Sequence, residues 1–178
     1  MTRATVVLLP GFGGRADQPI LVKLSKRLEA LGFACHRAAP PRGRVTPGLE
    51  AEVAWLSSLL DGLHGPFVLV GRSFGGRVAV RVAGRRDVKA VVLLGFPLRP
   101  PGKKRPLDER ALATAAAPTL VVQGDADELG PLALVRRVAK KNRQCVVRVL
   151  AGAGHAFGRK EAEALDAAAA WLDATVPV

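Results

Sequence analysis

Short apolar runs alternate along this chain with segments in which apolar residues recur every three or four positions. Residues 5–9, 67–70, 89–94, 119–123 and 146–150 are compact, largely β-branched runs of the kind buried on both faces of a sheet, and 33–38 reads as a further strand. Between them, Leu21, Leu24, Leu28 and Leu31 predict a helix with one apolar face, with Pro19 in its first turn, Asp17 near its start as a cap and Gly32 at its end. Thr46-Pro47 opens a second helix through Val53, Leu56 and Leu60 that ends near Gly62. Residues 77–83, 111–116, the stretch marked by Leu132, Val135 and Val138, and the stretch marked by Leu165, Ala168 and Leu172 supply the others. Residues 97–108 hold four prolines and four basic side chains and read as irregular. Such alternation predicts an α/β domain: a mainly parallel six-stranded sheet with helices on both faces and right-handed crossovers.

A chain of 178 residues without internal repeats fits one domain spanning 1–178. No apolar run approaches the roughly 20 residues that cross a bilayer. Met1-Thr2-Arg3-Ala4 leads straight into a five-residue strand, too short for a signal-peptide core, so the expected compartment is cytoplasmic. Cys35 and Cys145 read as two buried, apolar-like thiols, as a reducing compartment allows.

The formal net charge of +12 raises nucleic acid, acidic membranes and anionic substrates as partners. The positive residues are spread along the chain, with local concentrations at Arg85-Arg86, Lys103-Lys104-Arg105 and from Arg136 to Lys141. No zinc-ligand pattern, basic heptad helix or aromatic RNA-binding signature accompanies them, so an arginine-rich solvated surface accounts for the charge.

One turn changes this picture. Gly71-Arg72-Ser73-Phe74-Gly75 places a serine between a buried strand and a helix, where a sharp, strained turn exposes its hydroxyl. Glycine is needed at 71 and 75 because side chains there would collide, and Gly76 lets the new helix approach its neighbouring strand. A serine hydroxyl is a poor nucleophile at neutral pH and needs a base and an acid that orients the base. His155 follows the last strand, and Asp125 and Asp127 both follow the strand before it. These positions lie at the carboxyl ends of parallel strands, where open α/β sheets place their sites, in the chain order Ser, Asp, His. Two backbone N–H groups must hold the oxyanion. Phe74 supplies one, and the loop Pro10-Gly11-Phe12-Gly13-Gly14 supplies the other through Phe12. That loop lacks the third glycine of a dinucleotide fingerprint, and no acidic residue ends the second strand. His36, on a strand, and His64, in a turn, read as structural.

The chain resembles a small, lidless serine α/β-hydrolase of the dienelactone-hydrolase-like clan, nearest the branch of testis-expressed hydrolase-like proteins and a chromatin-complex subunit. The likeness is carried by Leu9-Pro10-Gly11-Phe12-Gly13-Gly14, by Gly71 to Arg77, by Val92 to Leu98 with Pro101-Gly102-Lys103, by Pro118 to Gly124, and by Gly154-His155-Ala156-Phe157. It implies Ser73 as nucleophile, Asp127 as the orienting acid, His155 as general base, and a sheet ordered 2-1-3-4-5-6. Asp125 is then a loop-capping side chain. One departure is Pro10, where many relatives carry histidine; it bears on the bonding of that loop and not on the nucleophile. The nucleophile is serine and not cysteine, so the substrate of dienelactone hydrolases proper does not carry over.

The expected reaction is hydrolysis of a carboxylic ester or thioester through an acyl-enzyme, with no metal or organic cofactor. Such hydrolases commonly insert a helical cap after the strand that follows the nucleophile helix. Residues 96–108 are too few to build one, which predicts an open, shallow site for short or exposed acyl groups. Arg99, Lys103, Lys104 and Arg105 there could favour an anionic leaving group or form a solvated loop. The rival expectation is a non-catalytic hydrolase-like module that uses its basic surface on nucleic acid or a protein partner.

Overall fold

The computed structural model describes residues 3–41 and 43–177. Its centre is a six-stranded sheet, parallel throughout, in the order β2-β1-β3-β4-β5-β6. The strands are β1 (Thr5–Leu9), β2 (Ala34–Arg37), β3 (Phe67–Arg72), β4 (Val88–Leu94), β5 (Thr119–Gly124) and β6 (Cys145–Leu150). The helices are α1 (Pro19–Ala30), α2 (Glu50–Asp61), α3 (Phe74–Arg81), α4 (Pro106–Thr114), α5 (Leu132–Ala139) and α6 (Glu161–Thr175).

Alternation along each strand divides the core in two. Val7, Leu9, Leu69, Leu93 and Val121 face α2, α3, α4 and α5, where Leu56, Val78, Leu112 and Val135 meet them. Val6, Leu8, Val68, Val92 and Val122 face α1 and α6, where Leu21, Leu24, Leu28, Leu165 and Leu172 pack. Both faces of β3 and β5 are therefore buried, which explains why these strands are continuous apolar runs. The edge strands are not: β2 is half-exposed, and β6 alternates between exposed and partly covered positions. Cys35 and Cys145 lie one on each edge as free thiols. No described helix is long and apolar enough to cross a membrane.

Three local expectations differ from the structure. α4 begins at Pro106, inside the stretch read as irregular. Pro106 occupies its first turn with Asp108 and Glu109, a favourable start for a helix dipole. Asp17 does not cap α1; it pairs with Arg15 at 3.5 Å, and Gln18 is the residue before the helix. α2 starts at Glu50 and not at Thr46-Pro47, because Leu49 turns left-handed (φ 64°) first. Thr46 still anchors that entry: its hydroxyl donates to the Glu52 carboxylate at 2.6 Å and accepts the Ala51 N–H at 3.3 Å.

The connection that could have held a cap is short. It runs through residues 95–105 and folds down onto the sheet end, with Phe96 and Leu98 fully buried. Its outermost part is a turn over 100–103, closed by the Lys103 N–H donating to Pro100 O at 3.0 Å, with Gly102 at φ 71°.

Candidate active site

Ser73 sits between β3 and α3 with φ 48° and ψ −109°, a backbone conformation costly for any residue with a side chain. The neighbouring glycines make it attainable. A β-carbon on Gly75 would lie 2.5 Å from Leu9 O, and one on Gly71 would run into the Gly75–Gly76 backbone. The turn is pinned on both sides: the Ser73 N–H donates to Leu94 O at 3.0 Å, and the Gly75 N–H donates to Pro10 O at 3.0 Å. The second of these bonds draws the loop after β1 against the start of α3.

The imidazole of His155 joins two loops that lie 28 and 82 residues away in sequence. Its Nδ1 lies 3.0 and 2.9 Å from the two carboxylate oxygens of Asp127. A carboxylate only accepts, so the proton is on Nδ1. Nε2 is then the acceptor for the Ser73 hydroxyl, 2.8 Å away. Asp127 is buried at 3% exposure and fully engaged. Its Oδ1 also accepts the N–H groups of Leu129 (2.9 Å) and Gly130 (3.0 Å), and its Oδ2 accepts Gln123 Nε2 at 2.8 Å. Asp125, the competing acid, points elsewhere: it accepts the Gly152 N–H at 2.8 Å and so caps the turn that leads to His155.

Two further residues hold this arrangement, and neither carried a signal as strong as the serine motif. Arg72 is buried beneath the site, donating to Leu94 O at 3.0 Å and to His155 O at 2.6 Å, with its guanidinium 5.3 Å from the Phe157 ring centroid. Burial pulls its pKa below the ordinary arginine value, while the charge of Asp127 opposes that shift. Gln123 is fully buried at the end of β5; its amide donates to Asp127 and to Gly130 O, and its carbonyl accepts the Phe96 N–H at 2.8 Å. One uncharged polar residue ending an otherwise apolar strand was the clue in the sequence.

The loop before α1 forms the opposite wall. Its Gly11 N–H donates to Gln18 Oε1 at 3.0 Å, and the Gly14 N–H to Gly11 O at 2.9 Å, so the loop is ordered without a histidine at position 10. Among the described residues, the N–H groups of Phe12 and Phe74 have no hydrogen-bond partner. Their rings meet edge to face, 5.9 Å apart, although Phe12 itself is 77% exposed. Phe12, Val45 and Phe74 form a wall common to two cavities of about 380 Å³ each. Ser73 opens into one of them, with Arg77, Lys103 and Arg105.

His36 on β2 and the exposed His64 lie outside this group. Burial pushes the Cys35 thiol up to about 12 and the Cys145 thiol up to about 11, so neither is a thiolate at neutral pH. Among the described residues, no three His, Cys, Asp or Glu side chains gather as a metal site would require.

The chain matches a family model described as "Alpha/beta hydrolase domain" over residues 2–176. Among solved structures it is similar to ferulic-acid-bound Est1E from Butyrivibrio proteoclasticus, with TM-score 0.82 and 17% identity over 98% of this chain and 90% of that one. It is similar to an alpha-beta serine hydrolase homologue from Coxiella burnetii, with TM-score 0.77 and 24% identity over 94% and 84% of the two chains. A dienelactone hydrolase from Anabaena variabilis gives TM-score 0.79 and 21% identity over 99% and 88%. At these identities the likeness to the three structures is one of fold.

Proposed function

The chain belongs to the alpha/beta hydrolase family, and from that premise we propose that it is a serine hydrolase cleaving a carboxylic ester or thioester. One observation carries this reading: the unbroken line of hydrogen bonds from the Ser73 hydroxyl through His155 to Asp127. In this scheme Ser73 Oγ attacks the substrate carbonyl while its proton passes to His155 Nε2. The carbonyl π electrons move to oxygen, and the N–H groups of Phe12 and Phe74 receive the resulting oxyanion. Collapse of the tetrahedral adduct breaks the C–O or C–S bond, and the proton on Nε2 goes to the departing alcohol or thiol. Water then adds to the acyl-serine with His155 again as base, releasing a carboxylic acid and restoring Ser73. The Asp127 carboxylate steadies the imidazolium that forms twice in each cycle. Apart from that water, the scheme uses protein groups alone.

The free N–H of Phe74 supports the oxyanion role, since it opens a helix whose dipole favours negative charge there. The names of the similar structures, a serine hydrolase homologue, Est1E with ferulic acid bound and a dienelactone hydrolase, fit ester chemistry on this scaffold. Within the family we place the chain nearest the testis-expressed and chromatin-complex-subunit branch, on the motifs around Gly11, Ser73 and His155. We read residues 1–178 as one domain working in the cytoplasm.

A fluorophosphonate probe followed by peptide mass mapping tests the reading together with hydrolysis of p-nitrophenyl butyrate. Ser73 should be modified, and Ser73→Ala should lose both label and turnover while keeping its melting temperature. No label on folded protein, no turnover above Ser73→Ala, and salt-sensitive nucleic-acid binding that survives Ser73→Ala would together select the binding-module reading instead.

A further inference from the structure

The wall of the Ser73 cavity carries more positive than negative charge: of its three cations, Arg77 is ion-paired with Asp108, and neither Lys103 nor Arg105 has a carboxylate partner among the described residues. Arg77, Lys103 and Arg105 line it, and among its lining residues there is no Asp or Glu. The carboxylate behind that wall, Asp108, is 1% exposed and already shared: Oδ2 accepts Arg77 Nε at 2.6 Å, and Oδ1 accepts an Arg81 amino group at 2.7 Å. Nearby acids are committed as well. Glu109 pairs with Arg99 at 2.9 Å, and Glu52 accepts from Thr46.

Arg105 is the informative member. It is half-buried, and its guanidinium donates to a backbone carbonyl, Pro97 O, at 2.7 Å. Burial first, and then the neighbouring Arg77 charge, pull its pKa below the ordinary arginine value, while Asp108 opposes the shift. A guanidinium remains protonated at neutral pH all the same. An anion entering the cavity would meet Arg105 and Lys103 on one wall as charged donors. A merely solvated loop leaves its arginines in water. This one turns Arg105 inward beside a like charge, and the turn over 100–103 brings Lys103 to the same wall.

We infer that this wall is an anion subsite, and that the ester or thioester cleaved at Ser73 carries a second, negatively charged oxyanion group, a carboxylate or phosphate, on a short chain. The inference rests on the hydrolase reading above and specifies its substrate. The cavity of about 380 Å³ lies at the small end for ligand sites, which limits the chain length.

The test compares mono-p-nitrophenyl glutarate with uncharged p-nitrophenyl pentanoate in wild type, Lys103→Ala, Arg105→Gln and Arg105→Lys. The readout is the ratio of the two kcat/KM values, in which the intrinsic reactivity of each ester cancels between proteins. The ratio should fall about tenfold in Lys103→Ala and in Arg105→Gln, as expected for loss of a hydrogen bond to a charged group. It should be retained in Arg105→Lys and decline in wild type as salt is raised. Inhibition of pentanoate turnover by glutarate or by inorganic phosphate tells the two headgroups apart. An identical ratio in all four proteins, or turnover of the pentanoate alone, overturns the subsite and leaves the hydrolase reading standing. Failure of wild type to hydrolyse either ester, with Ser73 unlabelled, removes both.

Discussion

Behind the imidazole of His155, polar side chains are buried and partnered; at the mouth of the site, around Phe12 and Lys103, side chains stand in water. On the inner side Asp127 accepts from two backbone N–H groups, Gln123 and His155, while Arg72 ties the carbonyl of His155 to the end of β4. A misplacement there leaves a buried donor or acceptor unpaired, so the positions are fixed by penalty as much as by attraction. On the outer side Phe12 is 77% exposed and Lys103 has no carboxylate in its cavity. Proton transfer needs the first kind of order, and choice among substrates tolerates the second.

The difference can be broken at several depths. Exchange at the innermost acid should have the largest effect. Asp127→Asn puts an NH2 donor in place of one carboxylate oxygen facing Nδ1, which disfavours the proton there, and should lower kcat by about 10³- to 10⁴-fold. Asp125→Asn, two residues away and bonded only to the Gly152 N–H, should stay within about threefold. Equal losses in the two would mean that the acid has been misassigned. Next comes the scaffold of the turn. Gly75→Ala forces a β-carbon onto Leu9 O and should cost about 3 kcal/mol in urea unfolding. Arg72→Met keeps the apolar stem but strands the carbonyl of His155, while Leu94 O keeps the Ser73 N–H. It should lower kcat by about 10- to 100-fold with little change in KM, and Arg72→Lys should recover part of the loss. That split marks a positioning role, since general destabilisation would respond to temperature and not to the lysine. Phe12→Ala leaves the backbone N–H in place and should change only KM, by about threefold.

Much of this was legible in the chain. Buried strands read as apolar runs because parallel sheets covered on both faces leave few polar positions, here gathered at strand ends such as Arg72 and Gln123, and the order of six strands followed from handedness and resemblance. Ser73 and His155 stood out because each sits in a glycine-bearing stretch directly after a strand. Asp127 was separable from Asp125 only by resemblance, since one step of loop geometry decides which of them turns inward. What stayed hidden depends on contacts far apart in sequence. Arg72 reaches a carbonyl 83 residues away, and Asp108 joins α4 to arginines 31 and 27 residues earlier. Neither has a local pattern. The start of α4 was hidden differently: Pro106 was counted with its neighbours as a breaker, although proline followed by Asp108 and Glu109 is also how a helix begins.

The strap over residues 95–105 has one more consequence. Its apolar residues are locked into the core, so among the described residues no cap domain stands over Ser73, and on the hydrolase reading proposed above a substrate would reach the serine straight from solvent. On that reading kcat should be insensitive to solvent viscosity, as expected where no lid has to open.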